Sequence, residues 1–230
     1  MKQRISIALD GPAASGKSTT ARLLARKLNY LYIDTGAMYR AATLAVLRAG
    51  VDINDEKRVE LCVKESRIRL KLENENQITL LNDENVNDQI RTPEINKVIS
   101  VLSSYAGVRH EMVAQQRELA RAGGVVMDGR DIGTVVLPQA ELKVFMIATL
   151  QERAQRRLLE LQKNGESVTY AEVEQEIANR DKLDTSRSHS PLKKAEDARE
   201  LDTSGLSIER QVTIIYGWAL QIINGISRSF

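Results

Sequence analysis

Short apolar runs recur along the chain, separated by longer stretches with helical spacing. Ile5-Ser6-Ile7-Ala8-Leu9 alternates and is β-prone, and Thr19 to Leu28 is rich in Ala, Arg, Leu and Lys, which favour helix. Leu31-Tyr32-Ile33 reads as a strand that ends at Asp34-Thr35-Gly36. A helix is predicted from about Ala37 to Arg48, stopped by Gly50. Helical patterning returns over Pro93 to Leu102 and Val108 to Ala122, and Gly123-Gly124 breaks it. Val125-Val126-Met127, ending at Asp128, and Lys143 to Ala148 read as buried strands. Gln151 to Gln162 is a basic helix and Tyr170 to Arg180 a second one, followed by a polar loop over Leu183 to Ser190. A short strand at Arg199 to Leu201 and an amphipathic helix from Ser207 to about Ile223 complete the pattern; Trp218 in that helix reads as a packing residue. Strands alternating with helices favour an α/β class.

One stretch departs from this rhythm. After a helix over Val59 to Arg67, Ile68, Leu70 and Leu72 alternate with Arg69, Lys71 and Glu73. Gln77, Thr79 and Leu81 then alternate with Ile78 and Leu80. The break Asn74-Glu75-Asn76 is too short for a crossover, so the two runs are expected to pair antiparallel. Residues 51–91 are therefore read as an insert carrying a small sheet, with residues 1–50 and 92–230 forming the main domain.

The junction of the first strand and first helix carries the strongest chemical signal. Gly11-Pro12-Ala13-Ala14-Ser15-Gly16-Lys17-Ser18 fits G-x-x-x-x-G-K-[ST], in the strand-to-helix context the motif needs. Glycines let consecutive amides curl into an anion-binding nest, and the positive end of the next helix points at the same place. Lys17 can reach the β- and γ-phosphates of a nucleotide and the Ser18 hydroxyl can ligand Mg²⁺. The expected ATP-binding set is Gly11, Pro12, Ala13, Ala14, Ser15, Gly16, Lys17, Ser18 and Thr19. No Asn-Lys-x-Asp segment occurs, which disfavours a GTPase switch.

Composition narrows the options. The 230 residues carry 33 Lys and Arg against 31 Asp and Glu, a net charge of +2. That balance argues against a broad electrostatic grip on nucleic acid or membrane. One cysteine, Cys62, permits no internal disulfide, and the two histidines, His110 and His189, lie far apart without cysteine partners, so a nitrogen–sulfur metal cage is not expected. Met1-Lys2-Gln3-Arg4 leads straight into a strand without an apolar signal core, and no apolar run is long enough to cross a bilayer. A soluble cytosolic protein is expected.

Further candidates sit at strand ends and on a helix. Asp128, at the carboxyl end of an apolar strand, is placed to hold Mg²⁺ directly or through water; a helix-capping or turn-forming role is the plain alternative. Asp128-Gly129-Arg130-Asp131-Ile132-Gly133-Thr134 packs two acids, an arginine and two glycines into one loop. There Arg130 can fork onto phosphate and Asp131 can accept from an amino group. Arg153 and Arg157 share a helix face, with Arg156 beside them, as either a solvated basic face or a segment that closes over phosphates.

Several segments together resemble the bacterial cytidylate kinase family, whose members phosphorylate CMP and dCMP with ATP. They are Ile7-Ala8-Leu9-Asp10-Gly11-Pro12, Asp34-Thr35-Gly36-Ala37-Met38-Tyr39-Arg40, Ile90-Arg91-Thr92-Pro93, Asp128 through Val136, and Arg180-Asp181-x-x-Asp184, in order over nearly the full length. The resemblance implies the P-loop nucleoside-monophosphate kinase fold: a central parallel sheet flanked by helices, a lid at about 150–190, and an enlarged monophosphate-binding insert. It implies a CMP-binding set of Thr35, Tyr39, Arg40, Ser100, Arg109, Arg130, Asp131, Arg180, Asp184 and Arg187. Thr35 stands where some members have serine and keeps the hydroxyl. Ser100, Arg109 and Asp131 would face cytosine, Asp184 the sugar, and Arg40, Arg130 and Arg187 the monophosphate. Lys17, Arg130, Arg153, Arg157 and Arg187 are the implied catalytic set, Arg156 less so, and Ser18 and Asp128 the implied Mg²⁺ set. The resemblance implies a monomer, and the balanced charge leads to no nucleic-acid or membrane partner being expected. The rival readings are another P-loop kinase acting on UMP or a metabolite, a regulatory module that binds ATP without transferring it, and an RNA-binding or structural protein with an incidental loop, which the balanced charge and lack of aromatic stacking motifs disfavour.

Overall fold

The computed structural model describes residues 4–73, 76–163, 165–187 and 189–225. Of the segments discussed above, Met1–Gln3, the Asn74-Glu75 break and Ser188 of the polar loop lie outside the described residues. The chain divides into two compact units, one of residues 1–32 with 122–230 and one of residues 33–121.

The first unit is built on a five-stranded sheet. Its strands are β1 (Ser6–Asp10), β2 (Leu31–Asp34), which carries the chain into the second unit, β6 (Val125–Gly129), β7 (Leu142–Ile147) and β8 (Arg199–Asp202). Their order is β2-β6-β1-β7-β8. β1 runs parallel to both β6 and β7, and β7 parallel to β8. Val125, Val126 and Met127 are all buried, as a strand covered on both faces requires. Helix α1 (Lys17–Leu28) and helix α8 (Ile208–Ile223) bury Ala21, Leu24, Ile215 and Ala219 against Ile5, Ile7, Leu9 and Val144. Ser207 caps α8 by accepting from the Arg210 amide, and Trp218 packs partly buried on this core with the Arg199 guanidinium 5.4 Å from its ring centre.

Helices α6 (Leu150–Lys163) and α7 (Tyr170–Ser186) form a pair with its own small core of Ala154, Leu161, Val173 and Ile177. A capping box between Thr169 and Glu172 starts α7, a device worth about 1 kcal/mol. This helix continues well past Arg180, so Leu183 and Asp184 are helical and not in a loop. The polar composition of 181–186 hid this, because Thr185 satisfies its hydroxyl on the helix backbone at the Asp181 carbonyl and leaves the helix intact.

The second unit holds α2 (Thr35–Arg48), α3 (Glu56–Glu65), α4 (Pro93–Leu102), α5 (Ala106–Ala120) and an antiparallel sheet of β3 (Ile68–Glu73), β4 (Asn76–Leu81) and β5 (Glu84–Asn85). β3 and β4 pair from Ile68↔Leu81 to Glu73↔Asn76, the antiparallel arrangement expected from the alternation. The two-residue β5 is too short to leave a pattern. Asp34 caps α2 by accepting from the Ala37 amide, so helix begins at Thr35 with no intervening loop.

Candidate active site

In the first unit the phosphate-binding loop runs from β1 into α1. Gly11 has φ 152, and a Cβ there would run into the Met146 carbonyl of β7. Gly16, with φ 89, turns the chain into α1. Lys17 folds back over the loop and donates from Nζ to the Pro12 carbonyl at 3.0 Å. Burial, then the like charges of Arg130 and Arg180, pull its ammonium down to about 7, against Asp128 and Asp184. An anion placed among Lys17, Arg130 and Arg180 relieves that crowding.

The loop is braced from below. Thr20 donates to Gln211 of α8 at 2.8 Å, and Gln211 donates on to the Leu206 carbonyl at 3.1 Å. Thr203 donates to the Ser15 carbonyl at 3.0 Å. Arg156 reaches the Thr203 carbonyl at 2.6 Å and lies 3.5 Å from the Ser15 carbonyl, so it ties α6 to the loop's support. Arg153 lies over the loop itself, donating to the Ala13 carbonyl at 3.3 Å and to Asp181 of α7 at 2.6 Å. Arg157 pairs with Glu160 on its own helix at 2.9 Å.

Ser18 is exposed at the start of α1 and donates to Asp128 Oδ2 at 2.6 Å, while Tyr32 donates to Asp128 Oδ1 at 2.9 Å. The hydroxyl and carboxylate bring two hard oxygen ligands together, the donor set that suits Mg²⁺. No cluster of three acidic, His or Cys ligands exists among the described residues, so a self-sufficient metal cage is absent there. A cation that shares its shell with phosphates and water fits this arrangement.

Beyond β6, residues Ile132–Val136 form a single π-helical turn. Arg130 leaves just before it and donates to Asp184 Oδ2 at 2.8 Å; Arg187 donates to Asp184 Oδ1 at 2.6 Å. Burial alone would raise the Asp184 carboxyl, but Arg130, Arg187 and Arg180 outweigh it and hold it below the ordinary carboxylate value. One buried carboxylate therefore sets the positions of two arginines. Asp131 is 5% exposed at the head of the π turn.

In the second unit, Thr35 and Tyr39 lie buried on α2. Arg109 of α5 is buried with its guanidinium 5.7 Å from the Tyr39 ring centre, a cation–π distance, and it donates to the Ser103 carbonyl at 3.2 Å. Arg40 donates to Asn96 of α4 at 2.6 Å, and half-buried Ser100 lies one turn further along the same helix. Arg91, in the Ile90-Arg91-Thr92-Pro93 segment, donates to Asp34 at 3.1 Å.

A family model described as cytidylate kinase matches residues 7–219. The chain belongs to the cytidylate kinase family. A cytidylate kinase of Bacillus anthracis is 52% identical over 222 residues, 96% of this chain and 99% of that one. Another, of Bacillus pumilus, is 53% identical over 209 residues, 91% of this chain and 93% of that one. A gluconokinase structure from Sinorhizobium meliloti, 12% identical, superposes with a TM-score of 0.50 over 98% of this chain and 97% of that one, a likeness of fold alone.

The structure groups Lys17, Ser18, Asp128, Arg130, Arg180, Asp184 and Arg187 in the first unit, and Thr35, Tyr39, Arg40, Ser100 and Arg109 in the second. Sequence reasoning passed over Tyr32, Asp181, Thr203 and Gln211. Each acts through a partner distant in the chain, and only Asp181, inside the Arg180-Asp181-x-x-Asp184 segment, carried any signal.

Proposed function

We propose that the chain transfers the γ-phosphoryl group of ATP to CMP and dCMP. The relation to cytidylate kinases over nearly the whole chain supports the substrate class. The observation that carries the chemistry is the buried Lys17, folded back onto the Pro12 carbonyl of the 11–18 loop with the like charges of Arg130 and Arg180 acting on it.

In this reading residues 11–19 hold the ATP phosphates. In the second unit, Thr35, Tyr39, Arg40, Ser100 and Arg109 act on CMP. In the first, Arg130, Asp131, Arg180, Asp184 and Arg187 do. An oxygen of the CMP phosphate attacks the γ-phosphorus in line; the new O–P bond forms as the bond to the β–γ bridging oxygen breaks, giving CDP and ADP. The nucleophile is already ionised near neutrality, so no general base is needed. Catalysis is positioning and charge stabilisation. Ser18 and Asp128 would hold Mg²⁺, which supplies charge neutralisation at the β- and γ-oxygens. Lys17 would follow charge onto the leaving oxygen. Arg153, fixed by Asp181, would cover the transferring group together with Arg157 and exclude water. Asp184 would keep Arg130 and Arg187 aimed at the acceptor phosphate.

The reading includes a monomer working in the cytosol, which gel filtration and cell fractionation test. Among the described residues no helix is long and apolar enough to cross a membrane. Coupled ADP release is measured with ATP and Mg²⁺ against CMP, dCMP, UMP, AMP, GMP and shikimate. CMP and dCMP should lead; no turnover with either ends the proposal, and ATP binding without acceptor-dependent ADP release favours a regulatory module.

A further inference from the structure

The parallel ladder between β1 and β6 ends at the pair Asp10↔Gly129. Past that point the chain leaves the sheet, carrying Arg130 and Asp131 into the π turn. The Asp10 side chain continues the tie where the ladder stops. Its Oδ1 accepts from the Ile132 amide at 2.8 Å and its Oδ2 from the Gly133 amide at 2.7 Å. Asp10 is 5% exposed. Both oxygens are thus used by consecutive main-chain donors directly after Asp131, which charge-assisted bonds make short and directional. On the far side the Lys143 stem closes the space: a Cβ on Gly133 would lie 3.2 Å from Lys143 Cδ and 3.3 Å from Asp10 Oδ2. Lys143 is itself held by the Pro138 carbonyl at 2.6 Å and by Asp197 at 2.8 Å.

We infer that Asp10 is a positioning residue for substrate choice: by gripping the Ile132 and Gly133 amides it fixes where Asp131 presents its carboxylate and where Arg130 departs. Asp10 also directly precedes Gly11, so the donor loop and the acceptor-reading loop hang from one residue. A buried carboxylate is a costly way to make a purely structural tie, because its desolvation exceeds that of an amide or hydroxyl. Here the anion also faces a second one, Asp131, with Lys17 as the nearby opposing charge. Its double acceptor geometry is what an amide cannot reproduce: asparagine has one acceptor oxygen and would turn an N–H toward the second main-chain N–H.

This inference rests on the proposed contact of Asp131 with cytosine, and its test separates the two. Wild type, Asp131→Ala, Asp10→Asn and Gly133→Ala are assayed for KM and kcat with CMP, UMP and ATP, and for melting temperature. Wild-type turnover with CMP well above UMP, narrowed in Asp131→Ala, establishes the underlying reading; equal losses for both substrates in Asp131→Ala end that reading, and the inference with it. Given that, Asp10→Asn should raise the CMP KM about tenfold, the equivalent of one such hydrogen bond, while the ATP KM moves less than about threefold. The CMP-to-UMP ratio should fall by a similar factor. Gly133→Ala, which pushes on the same grip from outside the donor loop, should give the same signature. An unchanged CMP KM and ratio in both variants overturns the inference. So does a parallel loss for ATP and CMP tracking a lowered melting temperature, the mark of a structural role only.

Discussion

The Ser18 hydroxyl donates to the Asp128 carboxylate across 2.6 Å, joining the first turn of α1 to the end of β6 from 110 positions away. With Tyr32 on the other oxygen, the carboxylate is held in place before any cation arrives. Asp128→Asn is expected to raise the Mg²⁺ concentration giving half-maximal rate about tenfold, since it removes the charge but keeps the shape. Tyr32→Phe should shift it in the same direction by about threefold. Mn²⁺ binding to the enzyme–ADP complex, followed by electron paramagnetic resonance, checks both without relying on turnover. Unaltered Mn²⁺ affinity in Asp128→Asn removes Asp128 from the cation's shell.

Lys17→Ala should lower kcat by about 10²–10³-fold while CMP affinity moves by less than about threefold. The lysine's neighbours in the loop are main-chain groups, so its charge is expected to matter most when the γ-phosphoryl group is in flight. Single-turnover rates with equilibrium CMP titration separate the two quantities. Near-normal turnover removes Lys17 from the catalytic set.

Asp131→Ala should narrow the gap between CMP and UMP. A carboxylate that accepts from the cytosine amino group faces the carbonyl of uracil at the same place, and an acceptor–acceptor contact costs on the order of a few kcal/mol. The CMP-to-UMP ratio of kcat/KM is expected to fall at least tenfold. Equal losses for both substrates would mean that Asp131 does not read the base.

Much of the first unit was legible because its central strands β1, β6 and β7 are almost wholly buried. Val125-Val126-Met127 has no other stable home than the middle of a sheet, and glycines at 11 and 16 have no better use than a phosphate loop. The antiparallel pairing of β3 with β4 followed from the period-two pattern and the short break between the runs, while the register did not. What the sequence hid was everything set by contact across the fold. Asp10 reads as one acid at a strand end, yet its partners lie 122 and 123 positions away. The π turn at Ile132–Val136 has no periodic signature, because one wide turn is too short to repeat. The polar neighbours of Asp184 read as a loop, while the structure puts it on the last turn of α7 with two arginines on its oxygens.

Asp10 also makes a prediction about pH. Burial raises its carboxyl to about 6, the Ile132 and Gly133 amides oppose the rise, Asp131 adds to it and Lys17 subtracts. A carboxyl whose folded value lies above its unfolded one binds more protons in the folded state between the two. Its contribution is therefore full below about pH 4 and is lost as pH rises through about 6, ~3 kcal/mol in all. Denaturant unfolding of wild type and Asp10→Asn between pH 4.5 and 7.5 should show the variant gaining relative stability as pH rises. A difference that stays flat across that window contradicts the assignment.

The chain has one tryptophan, and it sits in α8 with the Arg199 guanidinium over its ring. Red-edge excited fluorescence consequently originates wholly in the unit that carries the phosphate loop. Circular dichroism sums helices from both units, so melting curves from the two signals that part company would reveal the units losing structure in sequence, with no dye attached.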